Sequence, residues 1–185
     1  NASFMDLAIL DQNTCFAVGW QGAVYKTENG GSSWEQLSTE NNENVTSVYA
    51  INGVMYATTE SGAVLRCSDR STWSSFTIEN FRSNSVSFYN SFIGFMTGSK
   101  GQFAKTTNGG ASWEQVETDF TGLIRKVQFL DANNGFAIAQ DIDPQTKVPQ
   151  AKILKTVNGG VNWTVLHQVA NQVFNYLNFT NSANW

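Results

Sequence analysis

Histidine occurs once in this chain of 185 residues, and cysteine and proline only twice each. A single His167 with the distant Cys15 and Cys67 offers no spacing at which zinc is held, and two cysteines make no disulfide framework. Charged residues are 14% of the chain, with a net charge of −4. No run of Lys or Arg is present, which argues against binding nucleic acid through its phosphates. No apolar run reaches the length of a spanning helix, so membrane insertion is not expected, and no signal-peptide pattern occurs. A Gly-x-Ser-x-Gly elbow and a phosphate-cradling Gly-Lys-Ser/Thr loop are both missing. Nothing calls for a cofactor or a metal. No segment shows a helical period with caps. The chain is 41% hydrophobic, enough for one substantial core, and its short alternating runs point to an all-β fold.

One stretch is spelled three times. It reads Lys26-Thr27-Glu28-Asn29-Gly30-Gly31-Ser32-Ser33-Trp34, then Lys105 to Trp113, then Lys155 to Trp163. A worn copy, Arg66-Cys67-Ser68-Asp69-Arg70-Ser71-Thr72-Trp73, is one residue shorter. The tryptophans stand 39, 40 and 50 residues apart, and self-similarity near that period marks an array such as a propeller. Asn-Gly-Gly between two β-patterned runs is a hairpin signal, because glycine accepts a positive φ. The Asn or Asp side chain and the upstream Thr can bond amides of their own turn, and the Trp can wedge between sheets. Each position thus has a fold-building role: Thr27, Asn29, Gly31 and Trp34; Asp69 and Trp73; Thr106, Asn108, Gly110 and Trp113; Thr156, Asn158, Gly160 and Trp163.

Thr-x-Asn-x-Gly-x-Ser-Trp at 27–34 and 106–113 resembles the Asp-box, or BNR repeat, of sialidases and other β-propellers. The wider unit, with its Gly-Phe-Ala-Val-Gly-like second strand, is similar to propellers of the photosystem II stability/assembly factor family and its relatives in non-photosynthetic bacteria. The resemblance implies a β-propeller of four-stranded antiparallel blades. It also implies an assembly-factor-like, protein-binding role and, with Asn in place of an initial Met, residence outside the cell or in the periplasm.

Four repeats are expected over about 3–38, 44–78, 84–117 and 123–167, forming a single domain or fragment over 1–185, with a partial fifth at 172–185. In that partial repeat, Gln172 to Phe179 reads as a first strand. Relatives in the resembling family have more blades, so a piece of a larger propeller is expected. The alternatives are a small ring closed by the last strand, and closure by self-association. Repeat four carries an insertion, Gln140 to Gln150, holding both prolines, which reads as a tolerated surface loop, the alternative being a loop of the binding face. Cys15 and Cys67 fall at the same end of neighbouring blades and read as two buried free thiols rather than a bridge.

Sialidase chemistry needs an arginine cluster, a Tyr–Glu nucleophile pair and an acid/base Asp, with an Arg-Ile-Pro signature. Phe81-Arg82-Ser83-Asn84 is the nearest match and lacks Ile and Pro. Asp141 and Asp143 stand too close in sequence to straddle a glycosidic bond, and they lack the further ligands of a calcium loop. No catalytic residue is named. The connections between strands two and three share a face with the links between blades, and that face should gather Trp20, Gln21, Glu60, Arg82 and Lys100. Asp141 and Asp143 stand beside them, and Arg125 lies at the mouth of an inner strand. The function expected is a non-catalytic module holding a protein or glycan on this loop face. The alternative is a fragment of a sialidase-like or other glycan-active enzyme whose catalytic groups lie in further blades.

Overall fold

The computed structural model describes residues 3–39 and 42–177. Among the described residues sixteen strands form four antiparallel meanders, each with its strands in chain order. The first sheet holds β1 (Phe4–Ile9), β2 (Cys15–Gly19), β3 (Val24–Thr27) and β4 (Glu35–Leu37). The second holds β5 (Val45–Ile51), β6 (Val54–Thr59), β7 (Ala63–Cys67) and β8 (Trp73–Thr77). The third is β9 (Ser83–Phe88), β10 (Gly94–Gly98), β11 (Phe103–Thr106) and β12 (Glu114–Gln115). The fourth is β13 (Leu123–Phe129), β14 (Gly135–Ile142), β15 (Pro149–Thr156) and β16 (Thr164–Ala170). The described residues divide into two compact units, one running to Val86 and the other beginning at Ser87, within β9.

Side chains alternate across each strand, so a sheet offers one row set to each face. In the first unit Phe16, Val18 and Val24 of the first sheet meet Val48, Ala57 and Leu65 of the second. In the second unit Phe95 and Phe103 meet Val127, Ala137, Leu154 and Trp163. The rings of Phe95 and Phe129 stack with centroids 3.5 Å apart and planes 9° from parallel. Each fully buried aromatic or aliphatic side chain of this kind contributes roughly 1.5–3 kcal/mol. Within each unit the sheets are therefore fastened to each other chiefly by apolar contact between faces.

Register also pairs the cation that opens each repeated turn with the aromatic residue of the second strand. The pairs are Phe16 with Lys26, Tyr56 with Arg66, Phe95 with Lys105, and Phe136 with Lys155. The Lys105 and Lys155 ammonium groups lie 5.6 and 5.7 Å from their ring centroids, close enough for cation–π attraction.

Two expectations are corrected. The insertion is not all loop: Gln140, Asp141 and Ile142 pair with Ala151, Gln150 and Pro149, so the hairpin grows outward before it turns at 143–148. Asp143 closes that turn by accepting the Gln145 and Thr146 amides at 3.0 and 2.6 Å. The longer β15 gives β16 a longer partner, and His167 lies within that strand opposite Ile153. The strand expected over 172–179 is not formed at 172–177, where Val173 and Tyr176 are exposed, and 178–185 lie outside the described residues.

Candidate interaction surface

The repeated turns are closed by their own side chains. Thr106 Oγ1 donates to Asn108 Oδ1 at 2.9 Å and accepts the Gly110 amide at 2.9 Å. Asn108 Oδ1 then accepts the Ser112 amide at 3.0 Å, and its Nδ2 donates to Ser112 Oγ at 2.8 Å. Thr27, Asn29, Gly31 and Ser33 repeat the pattern, with 2.9 Å from the Gly31 amide to Thr27 Oγ1. In the last copy Asn162 Oδ1 takes the place of the serine hydroxyl, 2.9 Å from Asn158 Nδ2. In the worn copy Asp69 Oδ1 alone accepts the Ser71 and Thr72 amides, at 3.0 and 2.7 Å, with Cys67 where the others have Thr. The turns are also seated on their own sheet: the Gly30, Gly109 and Gly159 amides donate to the carbonyls of Asn13, Phe92 and Asn133 in the turn between strands one and two. Both cysteines are free, Cys67 buried and Cys15 half-buried, and burial pushes both thiols up, away from reactive thiolate.

The connection between strands two and three is a tight 3-10 turn in the first and third sheets, Trp20–Gly22 and Ser99–Gly101. Gln21 and Lys100 adopt left-handed conformations there, at φ 58° and 56°. The following glycine amide reaches the link to the next sheet: Gly22 donates to the Glu43 carbonyl at 2.8 Å and Gly101 to the Gly122 carbonyl at 2.6 Å. The side chains of Trp20, Gln21 and Lys100 are exposed on these locked turns. Trp20 donates its indole N–H to the Met5 sulfur at 3.1 Å, which fixes the ring's edge and leaves much of its face in water. Glu60 occupies the matching turn of the second sheet, where its amide donates to the Asn44 carbonyl at 3.1 Å. Arg82 is exposed on the link after β8.

Four expected site residues thus lie in the first unit: Trp20, Gln21, Glu60 and Arg82. The other four, Lys100, Arg125, Asp141 and Asp143, lie in the second. Arg125 stands at an irregularity in β13 and donates through Nη2 to Gln140 Oε1 at 2.7 Å. Asp141 is ion-paired with Lys152 at 2.7 Å, and Asp143 accepts Gln150 Nε2 at 3.1 Å. These acids are engaged in shaping the hairpin.

The sequence of residues 5–129 matches the model of the DUF6242 beta propeller domain, which spans more than half of the chain. The chain belongs to that family. The four meanders are thereby blades of a DUF6242 propeller domain. Solved structures share the fold at low identity. "YCF48 bound to D1 peptide" is 12% identical with a TM-score of 0.60, over 89% of this chain and 81% of that one. YCF48 from Cyanidioschyzon merolae is 20% identical with a TM-score of 0.69, over 93% of this chain and 58% of that one. The GH74 enzyme of Niastella koreensis is 13% identical with a TM-score of 0.66, over 88% of this chain but 30% of that one. No curated protein matches.

Other acids of this DUF6242 domain hold turns, and their ionisation reflects it. Asp11, Asp69, Asp131 and Asp143 are all held below the ordinary carboxylate range, chiefly by backbone amides of Asn13, Thr72, Asn133 and Thr146 respectively. Their folded pKa values are depressed, so the stability they add is complete above the unfolded value of about 4 and is lost as pH falls through the lower folded values. Thermal melts should therefore change little from neutral pH to about 5 and drop below about 4. Asp131→Asn should lose less on acidification than the parent chain. Parallel acid profiles for the two would contradict this account. Sequence reading missed both the reach of Gly22 and Gly101 to the inter-blade links and the Arg125–Gln140 bond. The shared Gly-x-x-Gly spacing at 19–22 and 98–101 was the available signal for the first.

Proposed function

We propose that this domain is a non-catalytic interaction module that holds a protein partner through the turns between the second and third strands of its blades. The observation that carries this reading is the display of Trp20 and Lys100 on pre-built turns, each pinned by a glycine amide to the next link. A rigid, half-exposed tryptophan loses little freedom on binding and is the residue type most enriched among interface hot spots. The likeness to YCF48, whose solved structure carries a D1 peptide, supports a protein rather than another class of ligand. The second reading, part of a glycan-active enzyme whose acting groups lie in further blades, draws on the likeness to GH74 propellers, which is one of fold.

Peptide ligands selected from a random library with the parent chain provide the test. The Trp20→Ala, Lys100→Ala double variant should bind them at least tenfold more weakly, since truncating a hot-spot Trp costs about 2 kcal/mol or more. Retained affinity, measured by calorimetry on a variant with an unchanged melt, would remove these turns from the binding surface.

A further inference from the structure

The link between blades one and two fastens two turns to each other. The Glu43 carbonyl accepts the Gly22 amide at 2.8 Å, and Asn44 Oδ1 accepts the Gln21 amide at 3.0 Å. On its other side the Asn44 carbonyl accepts the Glu60 amide at 3.1 Å. Glu43 Oε2 accepts the Thr59 hydroxyl at 2.8 Å and the Ser61 hydroxyl as well. Two consecutive residues thus hold Trp20–Gly22 of blade one and residues 59–61 of blade two as one platform, all within the first unit.

The platform displays an aromatic ring and a carboxylate. Trp20 is 53% exposed, and its edge is fixed by the bond to Met5. Glu60 is exposed, and among the described acids of this unit it alone has no partner for its side chain. Asp6 and Glu43 accept hydroxyls, Asp11 and Asp69 accept turn amides, and Glu28 and Glu35 pair with Lys26. Glu79 is engaged too. Positive charge is scarce at this end. Lys26, Arg66 and Arg70 belong to the repeated turns at the other end of the strands. Arg82 stands beside the Glu60 turn, where Ser83 Oγ donates to the Thr59 carbonyl at 2.7 Å, but it is already engaged.

We propose that this platform takes an extended peptide segment whose Lys or Arg pairs with Glu60 while an apolar side chain lies on Trp20. The inference rests on the reading that these turns hold a protein partner, and it gives that partner a chemistry. Any partner that covers both turns takes Glu60 out of water, and a carboxylate buried without a counter-charge is strongly unfavourable. The fold supplies no such cation, so the partner must. Charge complementarity of this kind also selects the partner against neutral or acidic segments. Spacing follows from the blades. Packed sheets stand about 10 Å apart and an extended chain advances about 3.3 Å per residue, so the cation should lie about three residues from the apolar anchor.

The peptides selected from a random library on the parent chain carry the test. Their sequences should show Lys or Arg enriched about three residues from an apolar residue. Glu60→Gln changes an exposed side chain, so its melt should match the parent's, while the selected peptides should bind it at least fivefold more weakly and with less dependence on salt. Exchanging the peptide's cation for Gln should cost a similar factor against the parent and nothing further against Glu60→Gln, which isolates the pair. Peptides that lose affinity in the Trp20→Ala, Lys100→Ala double variant but lack the cation, or bind Glu60→Gln as tightly as the parent, would overturn this inference and leave the protein-binding reading standing. A selection that yields no binder, or only peptides indifferent to the double variant, would overturn both.

Discussion

Phe95→Ala is expected to destabilise the second unit by about 3–5 kcal/mol, among the largest effects available to a single substitution in this chain. The ring is fully buried. It stacks on Phe129 at 3.5 Å, lies 5.9 Å from Phe103 and carries the Lys105 ammonium above it. Truncation would remove all three contacts and leave a cavity whose walls belong to two sheets, so neither sheet can relax into it alone. Urea unfolding followed by tryptophan fluorescence suits the measurement, because Trp163 packs against Phe103 and Phe129 and reports on this core. Phe92→Ala, at an exposed site, serves as the control and should cost under about 0.5 kcal/mol. A loss below about 1 kcal/mol for Phe95→Ala would mean that the two blades are not packed as described.

Gly101→Ala should be at least as damaging, for a different reason. Gly101 sits at φ 72°, and a Cβ built there overlaps the carbonyl oxygen of Phe120. Gly53 offers the comparison: its φ is 82°, but a Cβ there meets nothing. Gly53→Ala isolates the left-handed penalty, about 1–2 kcal/mol. Gly101→Ala adds the collision and the loss of the Gly101-to-Gly122 bond, for a total above about 3 kcal/mol. Equal losses in the two variants, from denaturant melts, would show that the close approach of the link to the turn is not needed.

The meander of each blade was readable because its signals are local. Short apolar runs such as Cys15 to Val18 and a turn such as Asn108-Gly109-Gly110 state their structure within a few residues. The hairpin at 140–150 was not readable in the same way. Gln140, Asp141 and Gln150 are polar and the segment holds both prolines, Pro144 and Pro149, so composition suggests a loop. Register inherited from Gly135 to Ala139 carries the pairing outward instead. The segment at 172–177 fails in the opposite direction: its apolar residues from Val173 to Leu177 suggest a strand, but among the described residues none pairs with it. The pairing of each second-strand aromatic with the cation across from it, as in Phe95 and Lys105, also depends on register, which spacing along the chain does not reveal. As for the surface, placing Trp20 and Lys100 in turns needed only the repeat. That Asp141 and Asp143 serve Lys152 and the hairpin turn needed the neighbours that folding brings to them.

The side-chain bonds that close the repeated turn, from Thr106 Oγ1 to the Ser112 amide, begin and end within it, and a glycine amide seats it on its own sheet. The internal closure of one copy therefore does not depend on that of another. The second blade shows the outcome: one residue is deleted, the threonine is a cysteine and the glycines are gone, yet Asp69 still gathers two amides and β8 still follows. A chain built this way carries redundancy of the kind found in parallel circuits. Individual copies are free to drift in sequence, and the fold fails only when a residue that ties one blade to the next is lost.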